Sequence, residues 1–349
     1  MAYTTINKST DHFNTKLFTG SGSTQSITGV GFQPDWIWFK NRTDARAHAL
    51  VDAVRGTNKV LRSDDVDAEA TTSAGRDFES FDADGFTVNN PLAFNSFNES
   101  GDNIVSWNWK ASGSTTSNYD GNITSTVSAN TTSGFSIVSY TGTGSNATVG
   151  HGLGAVPKMM IIKERNPATS RAWRVYYEHD GNNKVMYLNE TNSLVTDANA
   201  FNSTSPTNSL IYLGTSVGTN ESGKNYIAYC FAEKTGYSKF GSYIGNGVSD
   251  GSFIYTGFAP AFVMIKKTNA TSSWTMWDTE RSKNENNKPV YANLTNAESA
   301  QTTVKLDLLS NGFKLRGNGS NINTSGSSYS YMTFGQSLVG SNNVPCTAI

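Results

Sequence analysis

Residues 32–42 read FQPDWIWFKNR, a proline followed two residues later by a short apolar run and then a lysine. The phrase returns as AVPKMMIIKER at 155–165 and as FAPAFVMIKKT at 258–268. In each copy the lysine stands six residues after the proline: Pro34 and Lys40, Pro157 and Lys163, Pro260 and Lys266. A run apolar on both faces predicts a central strand covered on both sides. The proline cannot donate to a ladder, so it belongs at the strand's start.

Two further landmarks keep the same register. ESGDNIVSWNWKA (99–111), ESGKNYIAYCFAE (221–233) and TSGSSYSYMTFGQ (324–336) place Gly101, Gly223 and Gly326 at intervals of 122 and 103, against 123 and 103 for the prolines. KLFTGSG (16–22), VSYTGTG (138–144) and GSYIGNG (241–247) correspond as well. The sequence therefore reads as an N-terminal arm (1–11), repeat 1 (12–111), a Ser/Thr/Asn/Gly-rich linker or surface strand (112–133), repeat 2 (134–234), repeat 3 (235–337) and a C-terminal arm (338–349). A unit of this size is large enough to own a core, unlike the repeats of solenoids.

Strand signals dominate each unit. Val105, Trp107 and Trp109 alternate with Ile104, Ser106 and Asn108, and the matching inward positions are Ile227, Tyr229, Phe231 and Ser330, Met332, Phe334. FDADGFTV (81–88) and LLSNGFKL (308–315) predict hairpins with Asp-Gly and Asn-Gly in type I′ turns, and residues 296–309 are the one candidate for a short helix. Many short strands with Gly-rich turns predict an all-β chain of three tandem β-sandwich repeats, jelly-roll or lectin-like in kind.

Composition narrows the function classes. Charged residues make up only 16% of the 349 positions and the net charge is -1, so no basic field draws nucleic acid or an anionic membrane. The opening residues lack the apolar core of a secretory leader, and no apolar run approaches membrane-helix length. Cys230 reads as a buried free thiol and Cys346 as a lone terminal one.

Candidate chemistry is sparse. Asp65, Asp67 and Glu69 alternate in SDDVDAEA (63–70), as the acid and nucleophile of a sandwich-fold glycosidase could, but the other repeats have no such pattern. Asp82 and Asp84 before Gly85 look like part of a calcium loop without the remaining ligands. The four histidines have no metal-ligand spacing, and His48 aligns with Trp173 and Trp274 as a packing position. Asp52 with Arg55, and Asp278 with Arg281, predict structural ion pairs. No catalytic residue, metal or cofactor is expected. Trp173, Trp274 and Trp277 remain candidates for stacking on a glycan, and Phe94 and Phe97 in PLAFNSFN for a contact.

FTGSGSTQSITGVGFQPDWIWFKNR, DGNITSTVSANTTSGFSIVSYTGTG, NYIAYCFAEKTGYSKFGSYIGNG, YTGFAPAFVMIKKT and LDLLSNGFKLR together resemble a family of tandem-repeat proteins of marine tailed bacteriophages, including those of cyanobacteria. The resemblance implies a virion protein assembled in the host cytoplasm, non-enzymatic, and part of a tail, tail fibre or head decoration. Expected partners are other virion proteins, further copies of the chain in a homo-oligomer, and a host surface polysaccharide; the alternative is a glycan-binding or glycan-hydrolysing lectin-like protein. At least one terminal arm is expected to order only against a neighbour.

Overall fold

The computed structural model describes residues 3–72, 77–89, 97–166, 170–282 and 287–340. The chain is all-β, built of antiparallel sheets. Three large sheets share one strand plan. The first runs Phe13–Thr19, Asn103–Trp109, Trp36–Asn41, Ala49–Asp52; the second has Phe135–Thr141, Asn225–Phe231, Met159–Glu164, Arg174–Tyr177 in the same order; the third has Ser238–Ile244, Ser328–Gln336, Ala259–Lys267, Thr275–Asp278. Each post-proline strand is interior to its sheet, and Trp36–Asn41 and Met159–Glu164 are buried throughout. Pro34 and Pro157 precede their strands by two residues, whereas Pro260 lies inside its strand, where the ladder shifts register before Phe262.

Alternation along these strands divides their side chains between two environments. On one face Ile37, Phe39 and Ile104 pack against Ile27, Phe86 and Val88 of a small sheet, giving the first segment its own core. The second segment repeats this with Val138, Ile162 and Ala228 against Val149, Ile211 and Leu213, and the third with Val263, Ile265 and Tyr329 against Ile254, Phe313 and Leu315. Each segment is thus sandwich-like. The opposite faces all meet in one central core that draws on every segment. Trp109, Phe231 and Phe334, at matching positions, touch one another there, with ring centroids 6.5 Å (Trp109–Phe231), 5.9 Å (Phe231–Phe334) and 5.8 Å (Trp109–Phe334) apart. Trp36 stacks on Tyr229 of the second segment at 4.3 Å.

The glycine landmarks mark one close approach made three times. A Cβ on Gly20, Gly142 or Gly245 would lie 2.1, 2.4 or 2.3 Å from the carbonyl oxygen of Glu99, Glu221 or Thr324, so no larger residue fits. Gly101, Gly223 and Gly326 each donate a backbone N–H to the facing glycine's carbonyl.

Residues 112–133, read as a linker or surface strand, carry strands Thr116–Asn118 and Ser125–Asn130, which extend the second large sheet beyond Phe135–Thr141. Two expectations are corrected. The stretch 296–309 holds no helix: Glu298 donates its N–H to the Arg42 carbonyl across a segment boundary, and Leu306–Leu309 is a strand. The hairpins form, but Asp82 pairs with Gly85 and Leu309 with Gly312, so each glycine follows the turn. The loop residues Ala83, Asp84, Ser310 and Asn311 are not among those with positive φ, which rules out type I′. The N-terminal arm orders against its own chain. Ile6 enters the central core, Ser9 N–H donates to Gln336 Oε1 at 2.7 Å, and Gln336 Nε2 donates to the Asn7 carbonyl at 3.1 Å. The C-terminal arm beyond residue 340 lies outside the described residues.

A shared core predicts one cooperative transition rather than three. Scanning calorimetry is expected to give a single peak with equal calorimetric and van't Hoff enthalpies, and Trp36→Ala to lower stability by about 3–5 kcal/mol without splitting it. Deletion of residues 1–11 is expected to lower that transition temperature, because it removes Ile6 from the core.

Candidate functional site

The repeated lysine ends on the boundary between segments. Lys40 Nζ donates to the Arg46 carbonyl of its own segment at 2.7 Å and to the Thr295 carbonyl of the third at 2.9 Å. Lys163 Nζ donates to the Arg171 carbonyl at 2.5 Å and to the Val66 carbonyl of the first segment at 2.9 Å. Lys266 Nζ donates to the Ser272 carbonyl and, at 3.0 Å, to the Thr191 carbonyl of the second. The three bonds run round the molecule in one sense and close a ring. Burial pushes Lys40 and Lys163 down to about 8, opposed by Asp64 and by Asp65 respectively, and Lys266 down to about 7, opposed by Glu190.

Two of the three candidate glycan residues belong to the same boundaries. Trp173 Nε1 donates to the Arg62 carbonyl and Trp274 Nε1 to the Tyr187 carbonyl, both at 2.8 Å, and each partner lies in the preceding segment. His48, at the matching position, bonds the Tyr291 carbonyl through Nε2 at 2.9 Å and accepts from Trp38 Nε1 at 2.8 Å. Burial and the nearby Lys40 hold His48 well below its ordinary range, so it is neutral. Trp173 and Trp277 are fully buried and Trp274 is 3% exposed, which leaves no ring face for a sugar. Trp277 packs in the third segment's own core. The assignment of all three to glycan contact is therefore corrected: their hydrophobic area is used between sheets and between segments. Phe97 is buried, and Phe94 lies outside the described residues.

The acidic stretch is likewise engaged. Asp64 accepts the His48 N–H at 2.8 Å, and burial, then repulsion by Asp65, pushes its carboxyl up to about 6. Asp65 pairs with Arg62 at 3.2 Å, and Asp67 is exposed. Glu69 receives Arg165 of the second segment through two bonds of 2.9 and 3.0 Å, and Arg55 at 3.2 Å. Burial alone would raise the Glu69 carboxyl, but Arg165 and Arg55 outweigh it and hold it below the usual range. Arg55 also pairs with Asp52 and donates to Tyr229 Oη at 3.2 Å. The third segment meets the first in the same way: Arg281 pairs with Asp278 at 2.6 Å and Glu298 at 3.2 Å, and Glu298 takes Arg42 at 2.9 and 3.0 Å. Asp82 accepts from Ser80 and Thr87, and Asp84 accepts the N–H groups of Gly29 and Gly31, so both serve their turn. Cys230 is buried, its thiol pushed up to about 12 by burial, and Cys346 lies outside the described residues.

Sequence reading missed the seam where the third segment meets the first. A cleft of about 330 Å³ opens there, lined by Phe13, Pro260, Leu308, Leu309 and Leu338 among other residues. Glu280 is its single ionisable lining residue, so it offers no acid and base pair. Among the described residues no three His, Cys, Asp or Glu side chains are grouped as a metal site, and no helix is long and apolar enough to cross a membrane.

A family described as a domain of unknown function (DUF7483) matches residues 8–337, which takes in all three large sheets and the ring between them. The chain belongs to that family. Comparison with the curated proteins gave no match, and neither did comparison with the solved structures.

Two outcomes test the ring. Lys266→Met leaves the Thr191 and Ser272 carbonyls without their donor and is expected to cost about 1–3 kcal/mol. Because burial lowers Lys266 in the folded state relative to the unfolded chain, the unfolded state binds more protons between about pH 7 and about pH 10. The wild type should thus gain stability relative to Lys266→Met as pH rises through that window, the neutral amine keeping two N–H groups for its two carbonyls. Urea melts of both proteins at the two ends of the window measure this. Glu69→Ala takes from Arg165 its carboxylate partner and from Arg55 one of two, and is expected to cost on the order of 3 kcal/mol, while Glu69→Gln, which can still accept from Arg165, should cost less.

Proposed function

We propose that the protein is a non-enzymatic structural component of a bacteriophage virion, a tail or tail-fibre part or a head decoration, that contributes to attachment at the host surface. The observation that carries the non-enzymatic part is the fate of the ionisable side chains. Asp52, Arg55, Glu69, Arg165, Asp278, Arg281, Glu298 and Arg42 tie segments to one another, and the cleft between the third segment and the first has a single carboxylate at its wall. Such a body suits carrying load and presenting surface. The virion reading rests on the resemblance of the repeated phrases to the marine phage proteins. Other virion proteins and further copies of the chain are the partners that reading calls for, with host polysaccharide as the target.

Hydrolysis by Asp65, Asp67 and Glu69 is the competing reading, and Glu69 argues against it. A general acid needs a carboxyl held protonated near neutral pH, whereas Glu69 is held ionised by two arginines. Mass spectrometry of purified particles is expected to find this chain in stoichiometric amount, and its absence from mature particles would overturn the proposal. Release of reducing ends from host-type polysaccharide, abolished by Glu69→Gln in a folded protein, would establish the enzyme instead.

A further inference from the structure

The three segments differ most on one flank, between the edge of the large sheet and the edge of the small one. In the second segment the chain itself closes it: Ser125–Asn130 pairs with Phe135–Thr141, Ile123 bridges to Val149, and Asn122 exchanges bonds with Thr148. In the third segment, Ser238–Ile244 and Phe253–Tyr255 are the terminal strands of their sheets. Five of the nine exposed large apolar side chains among the described residues lie on that segment or on the arm against it: Tyr3, Ile244, Val248, Phe253 and Tyr255.

Three of these form an aromatic surface. Phe253 and Tyr255 alternate with Ile254, which faces the core, so both rings point outward at 43% and 57% exposure. Gly312 pairs with Tyr255, and a Cβ there would lie 2.7 Å from Phe253 Cζ, so the missing side chain lets that ring lie over the strand. Tyr3, 42% exposed, donates its hydroxyl to the Gly257 carbonyl at 2.9 Å. A Cβ on Gly257 would meet the hydroxyls of Tyr3 and Tyr255 at 2.6 and 3.5 Å, which places the two phenols side by side. Lys239 Nζ lies 5.5 Å from the Tyr255 ring centroid and 3.2 Å from its carbonyl. Among the described residues it has no carboxylate partner.

We propose that Tyr3, Phe253 and Tyr255, with Lys239 at their margin, form a binding platform for an acidic polysaccharide. Exposed ring faces accept the C–H face of a sugar, the two phenols are placed to bond its hydroxyls, and the unpaired ammonium selects a uronate carboxylate or a sulfate. A neutral glycan would leave the ammonium without a counter-charge. The proposal deepens the attachment reading by naming its site and ligand class, and it is tested on the purified full chain, so its failure is distinct from absence of the chain in particles.

Calorimetric titration with a galacturonate hexasaccharide, and with maltohexaose as the neutral probe, decides it. The wild type is expected to bind the acidic probe in preference, and Tyr255→Ala to weaken binding about tenfold, as loss of a central aromatic contact does. Lys239→Gln should remove the preference for the acidic probe, and with it the weakening between about 0.05 and about 0.5 M salt. Phe253→Ser is the second variant, and Tyr119→Ala, on the second segment's insertion, should bind as wild type. Unchanged melting temperatures show that the exposed-site variants fold. No binding of the acidic probe, equal binding of both probes, or wild-type affinity in Tyr255→Ala and Phe253→Ser overturns the proposal. Concentration-dependent self-association lost in Tyr255→Ala, without saccharide binding, assigns the flank to protein contact and overturns it too.

Discussion

A lysine ammonium held between two backbone carbonyls, one from its own segment and one from the neighbour, is the constraint on which the rest of the molecule turns. An uncompensated charge removed from water is costly, so each of Lys40, Lys163 and Lys266 must find acceptors before the segments can close. Loops 46, 171 and 272 bring one acceptor, and loops 295, 66 and 191 of the adjoining segments bring the other. A long unbranched stem suits the task, since it starts on a buried strand and delivers its head to the boundary. Parallel backbone bonds reinforce the ring: Glu69 N–H to the Arg165 carbonyl, Leu194 to Thr268 and Glu298 to Arg42. The same geometry at three boundaries explains why the chain repeats the proline-to-lysine spacing without a change.

The boundaries are equivalent in backbone and unequal in chemistry. Where the first segment meets the second, Asp52, Arg55 and Glu69 face Tyr229 and Arg165; where the third meets the first, Asp278, Arg281 and Glu298 face Trp107 and Arg42. At the second-to-third boundary Tyr177 stands opposite Met159 as Asp52 stands opposite Trp36, and its hydroxyl donates to the carbonyls of Gly241 and Tyr331 at 2.9 and 2.6 Å. Arg42 and Arg165 give way there to Thr268. A neutral phenol that donates to carbonyls needs no counter-ion, whereas a buried carboxylate needs its arginine. Substitutions at the two ionic boundaries are therefore coupled, because changing one partner alone strands the other.

Much of this was legible in the sequence, and its limits are physical. The alternation in Ile104–Trp109 and its counterparts correctly separates two faces, since a strand's period of two is local. It does not say what each face meets, and Trp107 and Trp109 turn out to pack against rings from other segments rather than within a closed sandwich. The paired acid and arginine at Asp52 and Arg55 was readable as structural from its spacing; its extension to Glu69 and Arg165 was not, for it depends on two loops 96 residues apart in sequence. Trp173 and Trp274 were misread because a tryptophan outside a regular strand looks available, and its burial depends on a carbonyl supplied by another segment. The same reason defeats the helix expected in residues 296–309: its backbone groups are engaged by Arg42 and by the ladder at Leu306–Leu309, and tertiary pairing outweighs local propensity.

Asymmetry laid over a symmetric frame is where function is to be sought. A ring that only filled space could be closed on every flank, as the second segment's is by its insertion. The first segment's exposed flank carries polar side chains such as Thr24, Gln25 and Thr28, which need no cover. The third instead exposes Phe253 and Tyr255 on a strand whose intervening Ile254 is held in a core, so the rings cannot turn inward without breaking that core. Keeping them in water forgoes burial worth about 25 cal/mol per Å² of apolar surface. The N-terminal arm, which closes the ring through Gln336, adds Tyr3 to the same face instead of covering it. The device that seals the molecule thereby also enlarges the third segment's aromatic surface, which ties the integrity of that surface to the closure of the ring beneath it.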